Sequence, residues 1–533
     1  MNGEWMDQAK RIFQNNSKWL VPVILAFLCI VLAFLFSRYF RWPVGVGYDS
    51  VIYLNGAKSL AAGNGFAQNL TPITHYPPLY PASVALVSLI TGKDIIPSAT
   101  SVVIILYGLN IFLAGILVWR ITDSTLAGIG ISLVTAGLSG FVSMHLEAMS
   151  EPLFFAFLLF TLIFLMEYFR SGKLRWAILA GLFSGLSVLT RYIGVFVIAV
   201  TALSIFIFKP GPLMKRLPHA VISGLMGCLP LVAWLFRNQL VTGGLTNRTF
   251  AFHPQDLDYF LFAAKGFSDL LGLRYIKGGL AGIPGSIFIV AAFLVLALGV
   301  YFLFKNRKLI RIPSMNWKFL VICLLSIVFY IFFLLFSATF YDASTRLTGR
   351  ILSPLYLILI LGFWVLIWPA ARTPLNKKMK ILLPVFIVLL IMVNLPGFNT
   401  ETALFRQKGD KFTGKAWSTS PTISWLNQLP DTVIIYSNEA VPIGFLTGHP
   451  ALTIPEKVNS LTGLPSETFK DRTAAMQNDL NQGKAVLVIM STKAYSDIFQ
   501  PKAILTKDLL ICKTMDDSIV YSTIHFLGEV CGR

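Results

Sequence analysis

LVPVILAFLCIVLAFLFS, from Leu20 to Ser37, carries no charged side chain and is long enough as a helix to cross a hydrocarbon layer about 30 Å thick. Runs of the same kind recur at 97–119, 124–141, 152–169, 219–236, 284–304, 318–338, 351–369 and 381–398. With 55% hydrophobic and 13% charged residues among 533, and a mean hydropathy of +0.70, the chain has more apolar side chains than a water-soluble core can bury. The segment from Trp176 to Phe208 is long for one helix and short for two, and its one charge is Arg191. An Arg at mid-bilayer would cost at least ~2.5 to 3.5 kcal/mol, so two short helices with Arg191 at the turn are expected, giving about eleven spans.

The formal charge of +19 is not a nucleic-acid signature, because the cations sit in short clusters between apolar runs and form no single stripe. The clusters Lys10/Arg11/Lys18, Arg120, Arg170/Lys173/Arg175, Lys209/Lys215/Arg216, Lys305/Arg307/Lys308/Arg311 and Arg372/Lys377/Lys378/Lys380 fall in alternate loops. Cytoplasmic loops are enriched in Lys and Arg, which predicts a cytoplasmic N-terminus and a C-terminus outside. The first run has no small-residue cleavage pattern before Arg38 and reads as a retained span.

The expected organisation is a cytoplasmic segment 1–19, a membrane region 20–398 with long outside loops 38–97 and 237–283, and an outside α/β domain 399–533. In that domain Thr432–Ser437 and Ala485–Met490 have buried-strand composition, Thr473–Gln482 is helical, and Ile504–Ile524 reads as further strands. Cys512 and Cys531 lie there and are a possible disulfide, whereas Cys29, Cys228 and Cys323 fall within spans. In the first loop, the stretch from Asp49 has the spacing of an interfacial helix, and Tyr80–Ile90 is apolar but too short to span.

Ionisable groups at the outer ends of spans are the candidates for chemistry. Asp49, in Gly45-Val-Gly-Tyr-Asp-Ser, has two readings: the N-cap of the interfacial helix or a general base. Glu147 and Glu151 fall in the short outside loop before the 152–169 run, where Glu151 precedes Pro152 and could equally serve the helix start. Arg191, Arg237, Arg346 and Arg350 reach the outer side against the topology bias, and guanidinium groups there would suit a lipid-borne phosphate.

In order along the chain stand Asp49, His75-Tyr-Pro-Pro-Leu-Tyr-Pro81, Ser150-Glu-Pro-Leu-Phe154, Leu189-Thr-Arg-Tyr192, Trp234-Leu-Phe-Arg-Asn238 and Arg350-Ile-Leu-Ser-Pro354. Over roughly residues 20 to 395 the sequence resembles the polyprenyl-phosphate-dependent C-type (GT-C) glycosyltransferases, in the bacterial branch similar to protein O-mannosyltransferases and aminoarabinose transferases. That resemblance implies a multi-pass protein of the bacterial plasma membrane that moves a sugar from a polyprenyl-phosphate donor to a glycan, lipid or protein acceptor. It implies Asp49 as base, Glu151 or its neighbour Glu147 as the second acid, Arg350 on the donor phosphate, and His75, Tyr76 and Tyr80 in a substrate loop. Many relatives carry two adjacent acids where this chain has Asp49-Ser50, which weakens a metal role; a divalent metal is left open and no other cofactor is expected. The competing classes are a transporter or flippase, which should show charged or broken helices near the midplane, and a non-enzymatic membrane scaffold.

Overall fold

The apolar runs form helices in the computed structural model of the protein, which describes residues 2–68, 71–246, 250, 252, 254–272, 313–341, 345–372, 377–458, 465–491 and 499–523. The expected span 284–304, the cations from Lys305 to Arg311 and Cys531 lie outside the described residues. Helix α1 (Asn2–Ser37) contains the first run; α2 (Tyr48–Ala61) and α3 (Leu79–Thr91) occupy the first loop, joined by a small hairpin of β1 (Ala67–Gln68) and β2 (Thr71–Pro72). Then follow α4 (Ile95–Thr122), α5 (Thr125–Gly137), α6 (Ser139–His145), α7 (Glu151–Ser171), α8 (Leu174–Thr190), α9 (Val195–Phe208) and α10 (Leu213–Thr242). The membrane part closes with α11 (Leu257–Leu270), α12 (Ser314–Phe340), α13 (Gly349–Arg372) and α14 (Lys377–Lys408).

Among the described residues six helices are long and apolar enough to cross a membrane, seven if α5 and α6 count as one bent span. That pair departs from the continuous helix expected over 124–141: the chain bends by 66° where Leu138 is extended. Asn394 of α14 stabilises the restart, its Oδ1 accepting from the Ser139 N–H at 3.1 Å and the Ser139 hydroxyl at 3.2 Å. These bonds satisfy donors that a new helix start leaves open. Between α8 and α9 the chain is extended at Arg191 and turns through Tyr192–Gly194, so the two short helices expected around this cation are present. The apolar core between the helices includes a Phe36–Tyr107 ring stack at 4.0 Å and Trp364, whose indole N–H donates to the Ala127 carbonyl at 3.2 Å.

Beyond α14, α15 (Pro421–Leu426), α16 (Ala440–Thr447) and α17 (Phe469–Asn481) accompany a five-stranded sheet. Its order is β4 (Ala451–Thr453), β3 (Ile434–Ser437), β5 (Ala485–Met490), β7 (Ser518–Ser522), β6 (Leu510–Met515). β3 runs parallel to β4 and β5, whereas β7 is antiparallel to β5 and β6. Every residue of β5 is buried, as a continuous apolar run covered on both faces requires: Val486 and Val488 face Leu426 and Ile443, and Leu487 and Ile489 face Met476 and Leu480. The 504–524 stretch supplies two strands, after a single helical turn at Lys502–Leu505. Cys512 is disulfide-bonded, and Cys29, Cys228 and Cys323 are free.

Candidate active site

Helix α2 starts from Gly47, and no side chain caps it. Asp49, in its first turn, turns its carboxylate elsewhere: Oδ1 accepts from the Tyr76 hydroxyl at 2.7 Å and Oδ2 from Arg350 Nη1 at 2.6 Å. The capping alternative is therefore not how this side chain is used. Glu151 opens α7 and is fully buried. Its Oε1 accepts from Arg191 Nη1 and lies 3.3 Å from Arg350 Nε. Its Oε2 is buried with no hydrogen-bond partner, a loss of about 1 to 3 kcal/mol of the kind retained at functional sites.

Three elements thus deliver charge to one place: α2 brings Asp49, α7 brings Glu151, and α13 brings Arg350 in its first turn, while the α8–α9 break adds Arg191. Two carboxylates face two guanidinium groups, and Arg350 is shared between both acids. Burial pushes the Asp49 carboxyl up, but the Arg350 charge and the Tyr76 and Arg350 hydrogen bonds outweigh it and hold Asp49 below its ordinary value. Burial and the Asp49 charge push the Tyr76 hydroxyl far above its usual value, so Tyr76 stays a proton donor to this carboxylate.

Glu147 is close by but differently engaged. Its carboxylate pairs with Lys411, from the segment that follows α14, and its backbone pairs with Gly45. Burial raises the Glu147 carboxyl in spite of the Lys411 charge. A cavity of about 490 Å³ opens here, lined by Arg350, Glu147, Asp269, Glu401, Lys408 and Lys411 among others. Arg350 therefore touches the buried acids and also lines open space.

The remaining sequence candidates are placed apart. Arg237 donates to the carbonyls of Ile73 at 2.9 Å and Phe66 at 3.1 Å and stacks over Trp234 at 4.9 Å, so it holds the first loop and contacts neither acid. Arg346 lies over the Phe262 ring at 5.6 Å. His75 packs on Tyr76 at 4.3 Å and lines a second cavity of about 590 Å³ with Thr74, Thr242 and Thr246. Tyr80 is fully buried against Tyr53, its hydroxyl unpartnered. Lys408 and Lys411 were not anticipated from the sequence, although both follow the last apolar run.

A divalent ion does not suit this set. Among the described residues no three His, Cys, Asp or Glu side chains come together as a metal site would need, and Asp49 and Glu151 are bridged by a guanidinium that a cation would have to displace.

The cluster of acids and arginines thus sits on a bundle of apolar helices, with a small α/β sheet beyond the last of them. Residues 75–235 match the family described as dolichyl-phosphate-mannose-protein mannosyltransferase. The whole chain is similar in fold to ArnT from Cupriavidus metallidurans bound to undecaprenyl phosphate, at TM-score 0.57 and 11% identity over 96% of this chain and 99% of that one. It is also similar to the archaeal oligosaccharyltransferase AglB from Archaeoglobus fulgidus in complex with an inhibitory peptide and a dolichol-phosphate, at TM-score 0.50 and 12% identity over 90% of this chain and 70% of that one. An Archaeoglobus fulgidus oligosaccharyltransferase in complex with zinc and sulfate gives TM-score 0.52 and 12% identity over 94% and 73%. No curated protein sequence matches the chain. The fold is that of the GT-C membrane glycosyltransferases.

Proposed function

We propose that this protein transfers a sugar from a polyprenyl-phosphate donor to a hydroxyl-bearing acceptor at the outer face of the membrane, with Asp49 as general base. The observation that carries this reading is Arg350, which joins Asp49 and Glu151 and also lines the 490 Å³ cavity. A donor phosphate entering there competes for Arg350, since a guanidinium binds phosphate and carboxylate by the same paired hydrogen bonds. As Arg350 turns to the phosphate, Asp49 loses the charge that holds it low, and its basicity rises when an acceptor proton must be taken.

The acceptor oxygen then bonds to the anomeric carbon, its proton passes to Asp49, and the bond from that carbon to the phosphate oxygen breaks, with inversion. The electron pair leaves on the polyprenyl phosphate, where Arg350 stabilises the gathering charge. Arg191 orients Glu151, and Tyr76 orients Asp49. The chain is placed with its N-terminus cytoplasmic, eleven spans, and residues 399–533 outside. A reporter after Lys380 is then cytoplasmic and one after Trp417 outside; both on one side would overturn that topology.

The test of function is to reconstitute the purified protein with tritiated undecaprenyl-phosphate hexoses and pentoses, each in turn, and follow release of free undecaprenyl phosphate. Consumption of one donor class supports the proposal. Folded protein that consumes none of them, with glycan, lipid and peptide acceptors supplied, overturns it.

A further inference from the structure

The segment Val44–Gly47, which leads directly into Asp49, is held as the middle of three short extended stretches. On one side Gly45 exchanges hydrogen bonds with the 146–148 stretch: its N–H donates to the Leu146 carbonyl at 2.9 Å and its carbonyl accepts from the Ala148 N–H at 2.8 Å. On the other side lies the chain that follows α14. Val46 pairs with Lys411, the Phe412 N–H donates to the Val46 carbonyl at 3.0 Å, and the Thr413 hydroxyl donates to the Val44 carbonyl at 2.7 Å.

This approach is tight and needs its residues. A Cβ on Gly45 would meet Asp410 Oδ2 at 3.0 Å and the Leu146 carbonyl at 3.2 Å, and one on Gly47 would meet Lys411 Cδ at 3.1 Å. Lys411 itself has φ +51°, a left-handed conformation that disfavours a long side chain and is kept where the surroundings over-determine it. Its ammonium crosses Gly47 to reach Glu147. One residue before Asp49, the Tyr48 hydroxyl donates to Glu439 at the start of α16, and the Tyr48 ring meets Phe412 edge-on at 5.1 Å.

We infer that the strap Gly409–Gly414, backed by Glu439, is the positioning element of the proposed base, with Lys411 and Glu439 acting on Asp49 through Val44–Tyr48. This rests on Asp49 being the base. It gives the sheet-bearing C-terminal part a role in turnover, because the base is clamped by chain from beyond the last membrane helix.

The experiment measures kcat and donor KM per folded molecule, using whichever tritiated undecaprenyl-phosphate sugar the wild type consumes. Lys411→Gly relieves the left-handed backbone and removes the ammonium; Lys411→Arg keeps the charge; Tyr48→Phe removes the bond to Glu439 and keeps the ring packing. A displaced catalytic group lowers turnover by about 10- to 100-fold, so Lys411→Gly should lose kcat by that order, separately from any change in donor KM at the cavity it lines, and Lys411→Arg should recover most of the kcat. Should Lys411→Gly fail to fold, Tyr48→Phe carries the test, with kcat lower and donor KM unchanged. Normal kcat per folded molecule in Tyr48→Phe and in any folded Lys411→Gly overturns the inference, as does a fall in activity that only tracks the amount of folded protein. Asp49→Asn in the same membranes separates the two failures. If it is inactive while the strap variants are normal, the strap alone is wrong; if Asp49→Asn turns over normally, the base is wrong and the strap's role goes with it.

Discussion

Two pairs of arginines near the ends of apolar helices do opposite things in this molecule. Arg350 and Arg191 meet carboxylates, whereas Arg237 meets main-chain carbonyls and a Trp ring and Arg346 a Phe ring. An Arg bound to carbonyls bridges the backbone segments that carry them, and it cannot leave without costing those carbonyls a hydrogen bond. An Arg bound to a carboxylate can exchange that anion for another of similar geometry. The partner thus separates an arginine that scaffolds from one that can exchange its anion.

The comparison breaks first at Asp49. Asn has nearly the size of Asp and keeps an acceptor for Tyr76, but it cannot take a proton, so Asp49→Asn should lower turnover per folded molecule by about 10²- to 10⁴-fold, beyond whatever stability the lost Arg350 ion pair costs. A variant within a few-fold of wild type would remove Asp49 from the chemistry. Next in size is Arg350→Ala. Loss of one charge-assisted phosphate contact, on the order of 1.5 to 3 kcal/mol, should weaken donor use by roughly tenfold to a hundredfold, read as kcat/KM on folded protein. An unchanged kcat/KM would leave the phosphate without its proposed ligand.

Much of this was legible in the sequence because the membrane makes the signal strong. Apolar runs mark helices whatever their partners, and the interfacial helix at Asp49, the break at Arg191 and the central strand at Ala485–Met490 follow from local pattern. The bend at Leu138 did not, because Asn394, which stabilises it, lies 255 residues away, and a Gly-Leu-Ser within an apolar run looks like any other helix interior. The site was half legible. Asp49, Glu151, Arg191 and Arg350 were each marked by charge at a span end, but their convergence is tertiary, and whether Asp49 caps its helix depended on where its oxygens point. Lys411 was missed because its role depends on Gly45 and Gly47, and glycines in a loop read as turns when the chain they make room for is far along the sequence.

Arg237→Ala sharpens the contrast from the scaffolding side. It removes two charge-assisted bonds to the Phe66 and Ile73 carbonyls, so stability should fall, by about 1.5 to 3 kcal/mol if one such bond's worth is lost. Turnover per folded molecule should stay near wild type. A thermal melt paired with a donor assay reads both, and a large drop in donor affinity with normal stability would move Arg237 into the recognition pair.

The smallest effect expected is a shift in pH dependence, and it tests the coupling of Arg350 to Asp49 directly. In the free protein burial pushes the Asp49 carboxyl up while Arg350 and Tyr76 hold it down, and the net position is below the ordinary value. The base form exists above that pKa, so the acidic limb of kcat/KM lies low in wild type. Arg350→Ala removes the largest lowering influence and leaves burial in place, and the limb should move to higher pH. The stability linkage has the matching sign. In wild type the depressed carboxyl adds stability that is present above the unfolded pKa and lost as pH falls through the folded one; in the variant, with that depression reduced, this contribution should shrink. Arg350→Ala also takes a neighbour from Glu151. Tyr76→Phe isolates Asp49, because Tyr76 donates to Asp49 and makes no bond to Glu151. Its limb should move in the same direction by less, since a neutral hydroxyl lowers a carboxyl less than a guanidinium does. A limb that stays in place in Tyr76→Phe would mean that the wild-type profile reports a group other than Asp49.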